Sequence, residues 1–284
     1  MRDLIRFAIP AFLLLVLAEA IADAVMRRDL YEVKDTAASL AMGAGNVVAN
    51  LLSKALQFSV FSILHRFAVF QIGYQWWAWV LVFFADDFTY YWHHRVSHES
   101  RLFWASHVVH HSSQRFNLST ALRQTWTGNF FSFVFWLWMP VVGFPPALIL
   151  SINAIGLLYQ FWIHTELVRS LGPLEAVFNT PSHHRVHHAS NARYIDRNHG
   201  GTLIIWDRLF GTFAAEHPCD APRYGLTQNI YTFNPLRISF HEWADLWRDV
   251  CRTSGWRDKM RCIFGNPGRQ YRTSAGIRSL TNSV

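Results

Sequence analysis

Histidines occur in closely spaced groups in this sequence, and their spacing suits metal binding. Of the 15 histidines, two groups share the pattern His-x-x-His-His, one ending at His111 and the other at His188. On a helix the spacing i, i+3, i+4 places three imidazoles on one face. His94 and His98 form a further pair, and His164 stands alone. One triad could be a zinc site or a chance surface cluster, but the groups together favour a metal centre.

The number of imidazoles predicts two metal ions rather than one. Imidazole suits iron, zinc, copper and nickel. Eight or nine such ligands exceed those of one tetrahedral zinc ion and are enough for two ions, with open positions left for oxygen chemistry. Asp87 lies on the same helix face as His94 and could orient it, while Glu99 and Glu166 could ligate metal or transfer protons. A surface carboxylate is the alternative for Asp87 and Glu166.

The helices that position these groups are expected in a membrane. Hydrophobic residues make up 51% of the chain and charged residues only 16%, against about 25% charged residues in soluble domains. The net charge is +7, but the arginines are interleaved with apolar runs, which argues against a nucleic-acid partner. The three cysteines are widely spaced and predict neither a disulfide framework nor a zinc ribbon.

Hydrophobic runs at residues 4–26, 39–64, 72–92 and 128–163 predict an all-α integral membrane protein with about four to five membrane helices. The last run is too long for one crossing, and Gly143 divides it into a hairpin. The first run is expected to be a retained helix rather than a cleaved signal peptide, because it has the length of a membrane span. The arginine-rich loops fall on one side, which predicts that this side is cytoplasmic.

The same pattern divides the chain into regions. Residues 1–70 are expected to hold the N-terminal membrane helices, and residues 71–245 a catalytic domain that includes the hairpin. Residues 246–284 are expected to form a polar tail that is partly disordered.

The motifs around the histidines resemble those of the fatty acid hydroxylase/sterol desaturase superfamily of membrane non-haem di-iron enzymes. The matching stretches are residues 86–98, 107–113, 161–166, 180–188 and 206–213. Further stretches resemble the alkylglycerol monooxygenase subgroup: residues 117–124, 171–175 and 224–227. The resemblance covers roughly residues 70–245, and the motifs are very specific in combination.

The resemblance implies a helical cytosolic cap that holds two iron ions above a membrane stalk, with dioxygen as a substrate. It implies nine metal ligands: His94, His98, His107, His110, His111, His164, His184, His187 and His188. It also marks Glu99 as a catalytic residue. For the subgroup it implies tetrahydrobiopterin as the reductant and hydroxylation at an ether-linked carbon, after which the product falls apart to an aldehyde and a glycerol.

Three positions depart from the superfamily pattern. His93 stands where relatives usually have a residue that is not a ligand, so it is left out of the predicted set. His199 replaces a tyrosine often seen there and could be an extra ligand or a hydrogen-bonding residue. Val168 stands where the hydroxylases often carry a further histidine.

The sequence therefore predicts an oxygenase that hydroxylates a lipid C–H bond with dioxygen, with ether cleavage of an alkylglycerol as the specific case. It has no cytochrome or flavin motif, so electrons are expected from a separate donor. A hydroxylase or desaturase of fatty acyl chains, sterols or carotenoids is the main alternative. A histidine-rich metal transporter or sensor is the non-enzyme alternative, but a transporter would place its ligands near the middle of the spans.

Overall fold

The chain folds as a helical protein, in a computed structural model that describes residues 2–268, 270–273 and 276–279. Within these residues it forms ten α-helices: α1 Arg2–Met26, α2 Val33–His65, α3 Trp76–Glu99, α4 Arg101–His111, α5 Trp138–Val142, α6 Pro146–Trp162, α7 Pro181–His187, α8 Ile205–Leu209, α9 Pro235–Arg252 and α10 Trp256–Phe264. Short 3₁₀ helices lie at Thr120–Leu122, Gly128–Phe130, Ser132–Trp136 and Gly172–Ala176. Two strands, β1 Gln270–Thr273 and β2 Gly276–Ser279, pair antiparallel with Gln270 opposite Ser279. The predicted helical fold is confirmed apart from this pair of strands.

Helices α1 and α2 carry the long apolar stretches of the chain. The segment Phe7–Met26 has a mean hydropathy of 2.1 and the segment Val33–His65 a mean hydropathy of 1.6. At about 1.5 Å rise per residue, both reach across the roughly 30 Å of a bilayer's hydrocarbon core. The predicted runs 4–26 and 39–64 therefore correspond to two candidate membrane spans, the two that length and apolarity identify among the described residues.

Helix α3 joins the apolar part of the molecule to the histidines. It begins at Trp76 and continues past the predicted end of the run at Trp92 as far as Glu99. As a result, His94 and His98 lie on its last turns. A single residue, Ser100, separates α3 from α4, so the chain turns sharply and brings the histidines of the two helices together.

The predicted hairpin at residues 128–163 is present but irregular. Its second arm is α6, whereas its first arm is a succession of 3₁₀ turns that ends in the short helix α5. Two features account for this. Pro140 lacks the backbone N–H that a regular helix needs, and the carbonyl of Asn129 accepts a hydrogen bond from the side chain of Gln57 on α2 at 2.9 Å. The apolar arms have 11 and 17 residues (Ser132–Val142 and Pro146–Trp162), fewer than the roughly 20 residues of a complete crossing.

Helix α9 packs against α4, and a buried ion pair ties the two together. The guanidinium of Arg101 donates to Glu242 at 2.8 Å and to Asp249 at 2.9 Å. The predicted boundary between residues 245 and 246 therefore falls inside α9, which continues to Arg252. Leu246, just beyond that boundary, is buried in a cluster with Ala105 of α4. The predicted disorder of the tail falls mainly outside the described residues.

Candidate metal centre

The nine predicted ligands come together in two groups. One group, called here site A, consists of His94, His98, His107, His111 and His187. The other, called site B, consists of His110, His164, His184 and His188. Within each group every ring offers a nitrogen that lies within 4.8 Å of the others. Helices α3, α4 and α7 and the end of α6 therefore meet at two places where a metal ion could be held.

Each His-x-x-His-His triad is shared between the two sites. On α4, His107 and His111 belong to site A and His110 belongs to site B. In the triad of α7 the division is reversed: His187 belongs to site A, whereas His184 and His188 belong to site B. The rings of His111 and His188 stack at 4.3 Å between centroids. The two sites are thus adjacent, and α4 and α7 each contribute to both.

Backbone carbonyls fix the orientation of four of the rings. Their Nδ1 atoms lie within hydrogen-bond distance of carbonyl oxygens: His94 with His199 (2.8 Å), His164 with Gln160 (2.7 Å), His187 with Arg197 (2.9 Å) and His110 with Arg123 (3.3 Å). A carbonyl oxygen can only accept, so each Nδ1 carries the hydrogen and donates it. In the neutral imidazole, Nε2 is then left with a lone pair for a metal ion.

At site B two such lone pairs face each other. The Nε2 atoms of His110 and His164 are 3.1 Å apart, and the Nε2 atoms of His164 and His184 are 2.9 Å apart. Since both Nδ1 atoms of the first pair are donors to carbonyls, neither Nε2 of that pair carries a hydrogen. Two bare lone pairs at this distance repel each other unless a cation lies between them. Nitrogens about 2.1 Å from one ion and at right angles to each other are roughly 3.0 Å apart, which matches the observed spacing.

Burial keeps the rings neutral. Seven of the nine histidines are buried and two, His107 and His110, are partly buried. Burial lowers the pKa of His110 to about 4. Burial, reinforced by repulsion from neighbouring imidazoles, lowers the pKa of His107, His111 and His187 well below the usual value. Metal ligation requires deprotonated imidazole, and these rings are in that form at neutral pH.

Several ring nitrogens of these histidines are buried without a hydrogen-bond partner in the described part of the chain. Among the described residues, no hydrogen-bond partner lies near either nitrogen of His98, Nδ1 of His111, Nδ1 of His184 or Nε2 of His187. Asp196 Oδ1 lies 3.5 Å from His98 Nδ1, which is too far for a good hydrogen bond. Buried polar atoms are normally paired. Metal ligation would satisfy Nε2 of His187, so the donor set fits two ions with mainly nitrogen ligands.

The predicted carboxylates lie outside both sites. Glu99 forms an ion pair with Arg95 at 2.9 Å, and its side chain is 45% exposed. Glu166 is partly buried and interacts electrostatically with Arg185, and burial raises its pKa. Neither residue is placed to ligate an ion together with the histidines.

Asp87 has a different role from either of those expected. It is buried rather than at the surface, and it accepts hydrogen bonds from the backbone of Thr202 at 2.7 Å and from the indole of Trp206 at 2.9 Å. His94 is oriented by the carbonyl of His199 instead. The seven-residue spacing puts Asp87 on the correct face, but its carboxylate is used to hold the segment that follows His199.

His199 is the residue that sequence reasoning left undecided and that the structure places beside site A. Its ring lies 5.0 Å from the ring of His98 and 5.7 Å from those of His94 and His187. It is fully buried, and both ring nitrogens are without a hydrogen-bond partner in the described part of the chain. Asp207 holds its backbone N–H at 2.7 Å. The run Asn-His-Gly-Gly before a buried aspartate was the available signal.

His93 lies in neither site. Its ring packs 5.4 Å from Phe135 and 5.3 Å from Trp136, on the side of α3 that faces a cavity. Tyr90 also lines this cavity, and its ring is 5.3 Å from that of His94. Gln160, on the opposite wall, provides the carbonyl that orients His164. The walls of the cavity are thus in direct contact with both sites.

Comparison with known proteins finds similarity to lipid hydroxylases and monooxygenases. Residues 79–212, which include all nine histidines, match the fatty acid hydroxylase family. The chain is 39% identical over 270 residues to an alkylglycerol monooxygenase of Homo sapiens. The aligned stretch is 94% of this chain and 60% of that protein. It is 43% identical over 239 residues to an alkylglycerol monooxygenase of Danio rerio, with coverage of 84% and 53%.

A bacterial relative extends the comparison to another lipid. An ornithine lipid hydroxylase of Rhizobium tropici is 31% identical over 128 residues, which is 45% of this chain and 39% of that protein. No solved structure matches the chain. The chain spans 60% or less of the length of these curated relatives.

Proposed function

Because residues 79–212 match the fatty acid hydroxylase family, we propose that this chain is a membrane-bound monooxygenase that hydroxylates a lipid C–H bond with dioxygen. The observation that carries the proposal is the facing pair of Nε2 atoms in His110 and His164, 3.1 Å apart. An arrangement of this kind is stable when a cation lies between the two atoms. The long apolar helices α1 and α2 suggest a membrane protein.

Sites A and B would each hold one iron ion. When bound, a pair of iron ions supplies the activation of dioxygen and the transfer of one oxygen atom to a C–H bond. The residues of this chain bind and orient the ions and keep bulk water away. The carbonyls of His199, Gln160, Arg197 and Arg123 hold the rings in the tautomer that ligates, and burial keeps the rings neutral.

We propose an ether lipid of the alkylglycerol type as the substrate. The support is the identity of 39% and 43% to two alkylglycerol monooxygenases. In this reaction the carbon next to the ether oxygen is hydroxylated, and the product separates into an aldehyde and a glycerol. The electrons come from a separate donor, for which we propose tetrahydrobiopterin. A fatty acyl substrate is the second candidate, since the matched family is that of the fatty acid hydroxylases.

Two further features complete the proposal. The arginine-rich loops support an active site on the cytoplasmic side. Glu99 lies at the rim, directly after the ligand His98 and in an ion pair with Arg95. From this position it would exchange protons between the solvent and the site, and Glu99→Gln tests that role through the pH dependence of turnover.

The direct test is to purify the full chain in detergent and to measure its metal content and its oxygen consumption. We expect close to two iron ions per chain, and oxygen consumption that requires both a tetrahydropterin and an alkylglycerol, with a fatty aldehyde as product. Labelled fatty acids, sterols and ornithine lipids serve as competing substrates. A single tightly bound zinc ion, with no oxygen consumption for any reductant, would overturn the proposal.

A further inference from the structure

A cavity lined by both polar and apolar side chains lies beside the candidate metal centre, between α2, α3, α6 and the first arm of the hairpin. It encloses about 730 Å³ of empty space, including its open mouth. Polar groups are concentrated in it although the surrounding helices are apolar. They include Lys54, Gln57, Asp86, Asn129, Asn153 and Gln160. Such a concentration of polar side chains is unusual in an apolar part of a protein and indicates a ligand with polar groups.

Lys54 is the most unusual member of this set. It lies on α2, a candidate membrane span, yet its side chain points into the protein rather than to either end of the helix. Its amine donates to the side-chain oxygen of Gln57 at 3.2 Å. In its protonated form the lysine amine has three hydrogens, and the other two have no partner among the described residues. Ionisable residues inside a membrane span are costly and generally functional.

Two other polar nitrogens, on residues that line the cavity, are also unsatisfied. Within the described part of the chain, Nδ2 of Asn129 and Nδ1 of His93 are buried without a hydrogen-bond partner. Both residues line the cavity. An unpaired buried donor is unfavourable, so a ligand that provides oxygen acceptors would stabilise this arrangement. Lys54 and Asn129 therefore have free donors, and Nδ1 of His93 is a donor in one tautomer of the ring and an acceptor in the other.

The charges favour a neutral ligand. Lys54 is accompanied by Asp86 in the same cavity, and Asp86 accepts hydrogen bonds from Trp136 at 2.6 Å and from Asn153. One amine beside one carboxylate provides no excess of positive charge for a phosphate or a fatty acid carboxylate. Hydroxyl groups, which both donate and accept, match this mixture of donors and acceptors.

The apolar part of the lining suits a hydrocarbon chain. Phe61, Phe133 and Leu157 contribute to the same cavity. Gly156 leaves its wall open, because a Cβ atom added there would be 3.8 Å from the carboxylate of Asp86 and 4.0 Å from the amide of Gln160. A molecule with a hydroxylated head and an alkyl tail therefore matches the mixed lining of the cavity.

We propose that this cavity binds the polar head of the substrate, as a glycerol diol whose hydroxyls pair with Lys54 and Asn129. The inference rests on the proposed function and adds to it the location of the head. In an alkylglycerol the carbon to be hydroxylated is joined to the glycerol through one oxygen atom. A head that is held in this cavity places that carbon near the wall formed by Tyr90, which contacts His94.

Binding is tested on the metal-loaded full chain in detergent by the shift of Tm with ligand. The ligands are a 1-O-alkylglycerol and the same compound with both hydroxyls methylated. We expect the diol to raise Tm and the methylated compound to have a much smaller effect. In Lys54→Met and Asn129→Leu the shift is reduced, and KM rises on the order of tenfold, as for loss of a hydrogen bond to a buried polar group. Lys34→Met, an exposed lysine on the same helix, is the matched control.

A second pair of variants tests the space rather than the polar groups. Gly156→Leu fills the cavity and is expected to abolish diol binding, whereas Gly156→Ala adds a Cβ in ordinary contact and retains it. Both variants keep the histidines, so a normal metal content shows that the fold is intact. Equal binding of the two ligands by the natural chain overturns the inference. It is also overturned if Lys54→Met and Lys34→Met behave alike, or if Lys54→Met selectively removes binding of a fatty acid.

These experiments distinguish a wrong location of the head from a wrong proposed function. If the natural chain turns over an alkylglycerol and the cavity variants leave KM unchanged, the function stands and the location of the head is wrong. If the diol raises Tm through Lys54 but no ether lipid is oxidised, the site is correct as a diol site and the proposed reaction is wrong.

Discussion

Arg123 connects α2, a candidate membrane span, to the candidate metal centre. Its carbonyl accepts a hydrogen bond from Nδ1 of His110 at 3.3 Å, while its guanidinium pairs with Asp35 of α2 at 2.5 Å. Both side chains of the ion pair are buried. The orientation of a site B histidine therefore depends on an ion pair with the N-terminal part of the chain.

This connection predicts the effect of Arg123→Ala. Removing the guanidinium leaves the Asp35 carboxylate buried without its cation, and such a change typically costs about 3–5 kcal/mol. We expect a lower free energy of unfolding and a loss of metal from site B before site A, measured by denaturation and by metal content. Arg115→Ala, which removes a more exposed pair with Asp29, should cost less than about 1 kcal/mol. Similar losses in both variants would contradict the connection.

The division of the histidines into two sites predicts separable losses of metal. His107→Ala removes a ligand from site A, and His110→Ala removes a ligand from site B. We expect each variant to lose turnover and to retain about one ion, because the remaining site keeps all of its ligands. Metal analysis and the spectroscopic signature of a coupled iron pair provide the measurement. His217→Ala, which changes an exposed histidine that belongs to neither site, should leave the metal content unchanged. If either variant lost both ions completely, the two sites could not be independent.

The lowered pKa values predict how metal-free protein responds to acid. In the unfolded chain a histidine has a pKa of about 6.5, whereas burial lowers the pKa of His110 to about 4 and that of His107 well below its usual value. Below pH 6.5 the unfolded state therefore binds more protons than the folded state. Stability falls as the pH falls, by up to about 1.4 kcal/mol per pH unit for each such ring.

The measurement is Tm between pH 8 and pH 5, with and without metal. Metal-free protein should lose stability through this range, whereas metal-loaded protein should hold its Tm to lower pH because ligation competes with protonation. A metal-free Tm that does not change below pH 6.5 would show that the rings are exposed to solvent in that form.

The sequence predicts the components of this centre better than their arrangement. All nine histidines could be chosen because local spacing and motif resemblance identify them one by one. The division between site A and site B could not, since it depends on how α3, α4 and α7 cross. The role of Asp87 was missed for the same reason: its partners Thr202 and Trp206 are more than 100 residues away along the chain.

The helices outside the candidate metal centre also show that local sequence features are predicted better than contacts between distant residues. The two candidate spans in α1 and α2 follow from composition alone, because apolar length is a local property. The irregular first arm of the hairpin depends on Gln57, a residue of another helix that bonds its backbone. The continuation of α9 past residue 245 depends on Arg101, whose partners lie on both sides of that point.

Arg101 provides the last prediction, which concerns the attachment of α9. Its guanidinium and the carboxylates of Glu242 and Asp249 are all buried, so Arg101→Ala leaves two buried carboxylates without this cation. We expect a loss of about 3–5 kcal/mol and faster hydrogen exchange across α9, measured by mass spectrometry. Arg248→Ala, which removes an exposed pair with Asp245 on the same helix, is the matched control.

Glu242→Gln separates the charge from the packing in this attachment. It keeps the shape of the side chain and one hydrogen-bond acceptor for Arg101, while Asp249 still supplies a negative charge. We therefore expect a smaller loss of stability than in Arg101→Ala and little change in hydrogen exchange. If Arg101→Ala left the exchange of α9 as slow as in the natural chain, apolar contacts such as that of Leu246 with Ala105 would suffice to hold the helix, and the ion pair would be dispensable.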